Sequence, residues 1–299
     1  ASFGPIPEKS QVILSHNHSG NALVQGRDID SIFCAMDAAA CHLRGYPPEV
    51  PMISRKLQSL FLALVLAFVL GSLLLALYAA DSAWQEKARV LRNGVIVSWA
   101  LSGLNIISNK SLSRLLGIRP RRLAGLVGIV FSPFLHRDFA HLIANTVPFL
   151  VLGWLVLLQT NFHSSLQGTA SLEEAASGFD GGFSSGTFYA VTVMIALVGG
   201  LGTWLLGRRA IHIGASGLIF GYIGFLLVSG YAGQTLLTLG FAAIALVLYG
   251  SQLRGMLPGR KAKTTSWEGH LFGFAGGVVA GLQPEFLASA VSALSQLVQ

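Results

Sequence analysis

From position 57 to position 80 the chain runs without one charged side chain. Such a stretch has few homes, because backbone polar groups cannot be left unpaired away from water. A helix of about 20 apolar residues pairs them internally while crossing a bilayer. The pattern recurs. Arg92 and Lys110 bracket an uncharged span that includes Trp99, and apolar spans follow at 141–159, 187–206, 213–229, 231–249 and 267–282. One leading helix and then six more are expected, in an all-α polytopic membrane protein. Composition agrees: only 11% of the 299 residues are charged and 53% are hydrophobic, against about 25% charged in an ordinary soluble domain. The net charge of +7 therefore reads as loop charge facing anionic headgroups. Membrane lipid is an expected partner and nucleic acid is not.

The remaining segments divide the chain. Residues 1–55 read as a polar tail, 56–81 as the additional transmembrane helix, 92–285 as the six-helix block and 286–299 as a C-terminal tail. Met52, followed by Ile53, Ser54, Arg55 and Lys56, looks like a start site or a signal n-region. The apolar run behind it exceeds the roughly 7–15 residues of a cleaved signal, so it reads as an anchor. Residues 123–135, with Pro133 inside, are too short to span and suit a re-entrant or interfacial segment. Residues 160–186 form a Gly/Ser-rich acidic loop. The two cysteines, Cys34 and Cys41, are too few for a disulfide framework. With His16, His18 and His42 they match no standard zinc spacing, so the tail reads as solvated and no metal is expected.

The polar residues inside the spans carry the functional signal. The second, fourth and sixth helices of the block run in one direction. His141 and Asn145 lie at the start of the second, one helical turn apart and on one side. Ser216 lies at the start of the fourth and His270 at the start of the sixth. Gly217 and Gly221 repeat every fourth residue on the fourth helix, as do Gly269, Gly273 and Gly277 on the sixth. Small residues at this spacing let helices approach closely in lipid, which would set the serine beside the histidine. A serine hydroxyl needs a base within hydrogen-bond reach to act as a nucleophile, and a neutral His270 can take and return that proton. The developing oxyanion needs donors. The Asn145 amide, the His141 ring and backbone N–H groups near Ser216, at a helix start with its partial positive charge, are candidates. Each residue also has a plainer role: a helix-packing serine, a pore or proton-relay histidine, a His–Asn helix staple.

Three pieces together resemble the rhomboid family of intramembrane serine proteases: 136-HRDFAHLIANTVPFLVLG-153, 212-HIGASGLIFGYIG-224 and 267-WEGHLFGFAGG-277. The stretch 117-GIRPRRLAGLVGIVFSPFLH-136 is similar to the first loop of one bacterial branch. The resemblance implies a six-helix catalytic core with Ser216 as nucleophile and His270 as base, His141 and Asn145 as oxyanion donors, and the backbone of Gly214 and Ser216 around the same site. Phe220 stands where the family often has a tyrosine that stacks on the catalytic histidine. Glu268, two residues before His270, is expected to point elsewhere. No cofactor is implied, and the sequence holds no H-E-x-x-H zinc motif and no phosphate loop. Expected substrates are transmembrane proteins with helix-weakening and small residues near the cut, in a bacterial plasma membrane or an organellar one. Two other readings stand beside it: a non-catalytic rhomboid-like scaffold that binds transmembrane helices, and a small transporter. The scaffold reading expects a lost serine or histidine, and the transporter reading expects charges along a pathway. Twelve basic residues in loops on the catalytic side, against Lys87, Arg89 and Arg92 opposite, favour a cytoplasmic site by the positive-inside rule. The bacterial resemblance favours the opposite orientation.

Overall fold

The computed structural model describes residues 55–79, 82–167, 185–259, 265–283 and 289. Nearly all of the 1–55 tail, most of the 160–186 loop and most of the 286–299 tail lie outside them. Among the described residues all regular structure is helical, apart from one isolated antiparallel bridge between Ile118 and His212. The α-helices are α1 (Arg55–Leu77), α2 (Ser82–Ile107), α3 (Ser111–Leu116), α4 (Gly128–Phe131), α5 (Phe139–Gln167), α6 (Ser185–Leu206), α7 (Ser216–Gly233), α8 (Leu236–Tyr249) and α9 (Trp267–Leu282). Short 3-10 turns occupy Leu123–Gly125, Ser132–Phe134 and Gly250–Met256.

Among the described residues six segments are long and apolar enough to cross a membrane: Ser59–Leu77, Trp84–Ile107, Phe139–Gln159, Gly186–Leu206, Ser216–Gly233 and Leu236–Met256. The seventh expected helix, α9, has 16 residues. At about 1.5 Å per residue it falls short of the roughly 30 Å hydrocarbon layer. The interfacial stretch breaks into α4 and two 3-10 turns, with Leu123 and Val130 exposed.

Several boundaries differ from the sequence expectation, each for a local reason. α2 starts ten residues before Arg92, because its charged turns are accommodated at the helix end: the Lys87 ammonium lies 4.5 Å over the Trp84 ring. Lys87 is buried, and the Trp84 ring face takes up its charge. α7 starts at Ser216 rather than 213, because Gly214 has φ +117°, outside any helix. α7 also keeps Tyr231 and ends at Gly233, where Gln234 turns left-handed and Thr235 opens α8 through a capping box with Thr238. α5 runs on to Gln167 with Pro148 inside it.

α7 is the central helix, buried from Leu218 through Leu226. Its glycine face meets α9 at main-chain distance. A Cβ on Gly273 would strike the carbonyl of Gly217, and a Cβ on Gly277 the carbonyl of Gly221. α6 joins the same seam, since a Cβ on Gly199 would lie 3.0 Å from Gly273 Cα and one on Gly276 3.0 Å from Ile195 Cα. On the other side of the bundle α1 buries Val69, Leu73 and Ala76, and the Trp154 indole N–H donates to Ser72 Oγ at 2.9 Å.

Candidate active site

Two loops converge on the start of α7. Ile118 and His212 exchange N–H···O bonds of 3.0 Å each, and the Gly214 N–H donates to the Ser132 carbonyl at 2.9 Å. The positive φ of Gly214 then turns the chain so that Ser216 becomes the first helical residue. A helix start leaves N–H groups without intrahelical partners and carries partial positive charge.

Ser216 Oγ lies 2.9 Å from His270 Nε2. The other ring nitrogen, Nδ1, is 3.0 Å from the carbonyl of Gly255. A carbonyl only accepts, so Nδ1 carries the proton and Nε2 presents its lone pair to the serine O–H. Phe220 covers the face of the same ring, with centroids 4.2 Å apart and planes 9° apart. The imidazole is thus held at its edge by a main-chain carbonyl of the 3-10 turn and on its face by a phenyl ring. Glu268 takes no part in this. It is buried and turned to Arg208, whose backbone N–H donates to Oε1 at 3.2 Å.

His141 sits against Gly214. A Cβ on Gly214 would lie 2.9 Å from His141 Cε1 and 3.8 Å from Ser216 Oγ. The missing side chain therefore leaves room for the imidazole next to the serine. Gly214, which the resemblance places among the oxyanion-binding groups, donates its own N–H to the Ser132 carbonyl and leaves the space that His141 fills beside the serine. Asn145 is buried on the same side of α5 and donates from Nδ2 to the His141 carbonyl at 2.8 Å. An amide NH2 carries two hydrogens, and this bond uses one. The expected packing glycines Gly217, Gly221, Gly269, Gly273 and Gly277 all lie at the seam beneath the site: a Cβ on Gly217 would stand 3.2 Å from the Gly269 carbonyl, although a Cβ on Gly269 itself would first meet Ser266 Oγ, at 2.8 Å.

Sequence reasoning missed His136. Its Nδ1 is 3.0 Å from Ser102 Oγ, which itself donates to the Phe134 carbonyl, and the Ala215 N–H points at its Nε2 at 3.4 Å. The Asn105 amide donates to the His136 carbonyl at 3.1 Å. Burial first, and the neighbouring His141 second, push the His136 pKa down to about 4, so the ring is neutral near pH 7 and links α2 to the residue before Ser216. Polar Ser102 and Asn105 inside an otherwise apolar span were the available signal. A pocket opens beside Ser216 toward α6 and the first loop, walled by Ile129, Ser132, Ile195, Gly199, Gly200 and Thr203.

A family model described as Rhomboid domain matches residues 124–283. The uncharacterized protein ML1171 of Mycobacterium leprae is 33% identical over 235 residues, covering 70% of this chain and 81% of that protein. The uncharacterized protein Rv1337 of Mycobacterium tuberculosis is 39% identical over 171 residues, covering 55% of this chain and 61% of the relative's length. No solved structure was found to match the chain.

Proposed function

The chain belongs to the rhomboid family, a multi-pass integral membrane protein, and from this premise we propose that it is an intramembrane serine endopeptidase working through Ser216 and His270. The observation that carries the reading is the 2.9 Å contact between the serine hydroxyl and an imidazole nitrogen whose partner nitrogen is already bonded. In this mechanism Ser216 Oγ attacks a peptide carbonyl as its proton passes to His270 Nε2. The oxyanion is received by the Ser216 backbone N–H, the His141 ring and the second hydrogen of the Asn145 amide. His270 returns the proton to the leaving amine, and a water activated in the same way releases the acyl group.

Substrates are proposed to be transmembrane segments of other proteins. A helix hides its carbonyls in its own hydrogen bonds, so cleavage favours segments with helix-weakening residues near the cut. A small side chain at the cleaved bond eases entry to a dyad already crowded by Phe220 and His141. The helix α1 lies outside residues 124–283 and is proposed as an added spanning helix. The mycobacterial relatives support a bacterial plasma membrane. A fluorophosphonate probe tests the reading: the purified protein should be labelled on Ser216, and a chain that only scaffolds other helices would stay unlabelled.

Asn145→Ala should lower turnover about 10–1000-fold, the scale on which loss of one oxyanion donor falls. Substrate affinity should change much less, since the bond forms as charge develops. Steady-state cleavage in detergent reads both quantities. Wild-type turnover in this variant would reduce Asn145 to a staple on its own helix.

A further inference from the structure

His212 stands four residues before Ser216 in a stretch otherwise built of apolar and small side chains, and nothing in the dyad mechanism uses it. It is 4% exposed. Its main chain is fixed to Ile118 by the paired N–H···O bonds. Its ring makes two further bonds. Nε2 is 3.1 Å from the Arg208 carbonyl and Nδ1 is 2.6 Å from Ser266 Oγ. The carbonyl can only accept, so the proton sits on Nε2 and Nδ1 accepts from the Ser266 hydroxyl. Burial lowers the His212 pKa and keeps that neutral tautomer.

Ser266 is the N-cap of α9, and its Oγ accepts from the Gly269 N–H at 3.3 Å. Gly269 precedes His270 directly. Alongside, the Arg208 guanidinium donates to the Thr265 carbonyl, and its Nε lies 3.7 Å from Glu268 Oε1. The segment leading to the nucleophile and the first turn of the helix bearing the base are therefore tied together by side chains that never touch the dyad.

We propose that His212, acting through the Ser266 hydroxyl, is a positioning residue that sets the axial register of α9 against α7 and so holds Ser216 and His270 at bonding distance. The proposal rests on the proteolytic reading above. Its physical ground is the character of the seam. Glycine surfaces allow close approach, but they offer few side chains to resist sliding along the helix axis. An O–H···N bond tolerates only a few tenths of an ångström, and a misplacement of about 1 Å can cost about 100-fold in rate. A lock is needed at the end of the seam where the chemistry sits, and the His212–Ser266 bond is there.

The test uses the purified full chain with His212→Ala, His212→Asn, Ser266→Ala and Ser266→Thr. Cleavage of a transmembrane substrate gives kcat and KM, a fluorophosphonate gives the reactivity of Ser216 without substrate, and thermal unfolding gives Tm. The alanine variants should lose about 10–100-fold in kcat, with KM changed by no more than about twofold, and lose labelling rate in parallel. The His212→Ala/Ser266→Ala double variant should lose less kcat than the product of the two single losses, because the bond between the two side chains is counted in both. Asparagine, which both donates and accepts, and threonine, which keeps the hydroxyl, should recover most of the rate. Alanine variants with wild-type kcat and labelling would overturn the proposal. So would losses of rate that simply follow Tm, with asparagine and threonine no better than alanine. A wild-type protein that is neither labelled nor active overturns the protease reading itself, and the proposal with it.

Discussion

Ser216→Ala and His270→Ala should each remove proteolysis of a transmembrane substrate down to background, and the double variant should be no slower than either single one. In the proposed mechanism nucleophile and base act as a unit. In serine hydrolases losing either costs on the order of 10⁶-fold, and losing both costs about the same. The two variants should differ in stability. Ser216→Ala deletes one oxygen whose bond is to His270 Nε2. His270→Ala empties the space beneath the Phe220 ring and strips the Gly255 carbonyl of its donor, so its Tm should fall further. Cleavage assays with matched unfolding curves read both effects. Appreciable turnover by pure, folded Ser216→Ala would refute the assignment of the nucleophile.

The second large effect is expected at the glycine seam. Gly273→Leu and Gly277→Leu should abolish activity and lower Tm together. At both positions the first added carbon already meets a carbonyl of α7, that of Gly217 or Gly221. Main chain cannot rotate out of the way as a side chain can. Overpacking a core that can adjust costs about 1–3 kcal/mol, and a contact against backbone belongs at or above the top of that range. Even Gly277→Ala should be measurably destabilised. The damage should extend to the chemistry, because spreading α7 from α9 draws Ser216 from His270. A Gly277→Leu variant with unchanged Tm and turnover would place that face of α9 against lipid, contrary to the packing described.

The glycine repeat shows which parts of such a fold are legible in a sequence. Spacing four apart on 217 and 221 and on 273 and 277 identifies two smooth helix faces, and these faces do meet. The same repeat does not reveal that α6 joins them, because Gly199 and Gly276 look like any small residue until their neighbours are known. Ser216, His141, Asn145 and His270 stood out because a polar side chain in an apolar span is costly, so each demands an explanation. His136 and His212 were harder to read. Their partners, Ser102 and Ala215 for one, Arg208 and Ser266 for the other, are mostly far away in the chain, and only the folded loops bring them together. Boundaries failed where local chemistry overrode the hydropathy pattern, as at Gly214, whose positive φ delays α7 to Ser216, and at Trp84–Lys87, which lets α2 begin among charges.

The bond from His270 Nδ1 to the carbonyl of Gly255 bears on what genetics can find in this protein. In a Ser–His–Asp arrangement the third partner is a side chain, and a mutational scan returns three positions. Here the partner is main chain, present whatever residue is encoded. No point substitution deletes it, so on the proposed protease reading a saturation scan scored for lost proteolysis would recover a nucleophile and a base and report no third member. Position 255 would register only through crowding, since a Cβ there would stand 3.3 Å from His270 Nδ1 and 3.3 Å from Phe220 Cζ. A loss of function at 255 would then look like a packing defect although the atom doing the orienting is the carbonyl oxygen. Replacing an amide by an ester in the backbone around 255, which weakens a carbonyl as an acceptor, would expose the contact that codon changes leave intact.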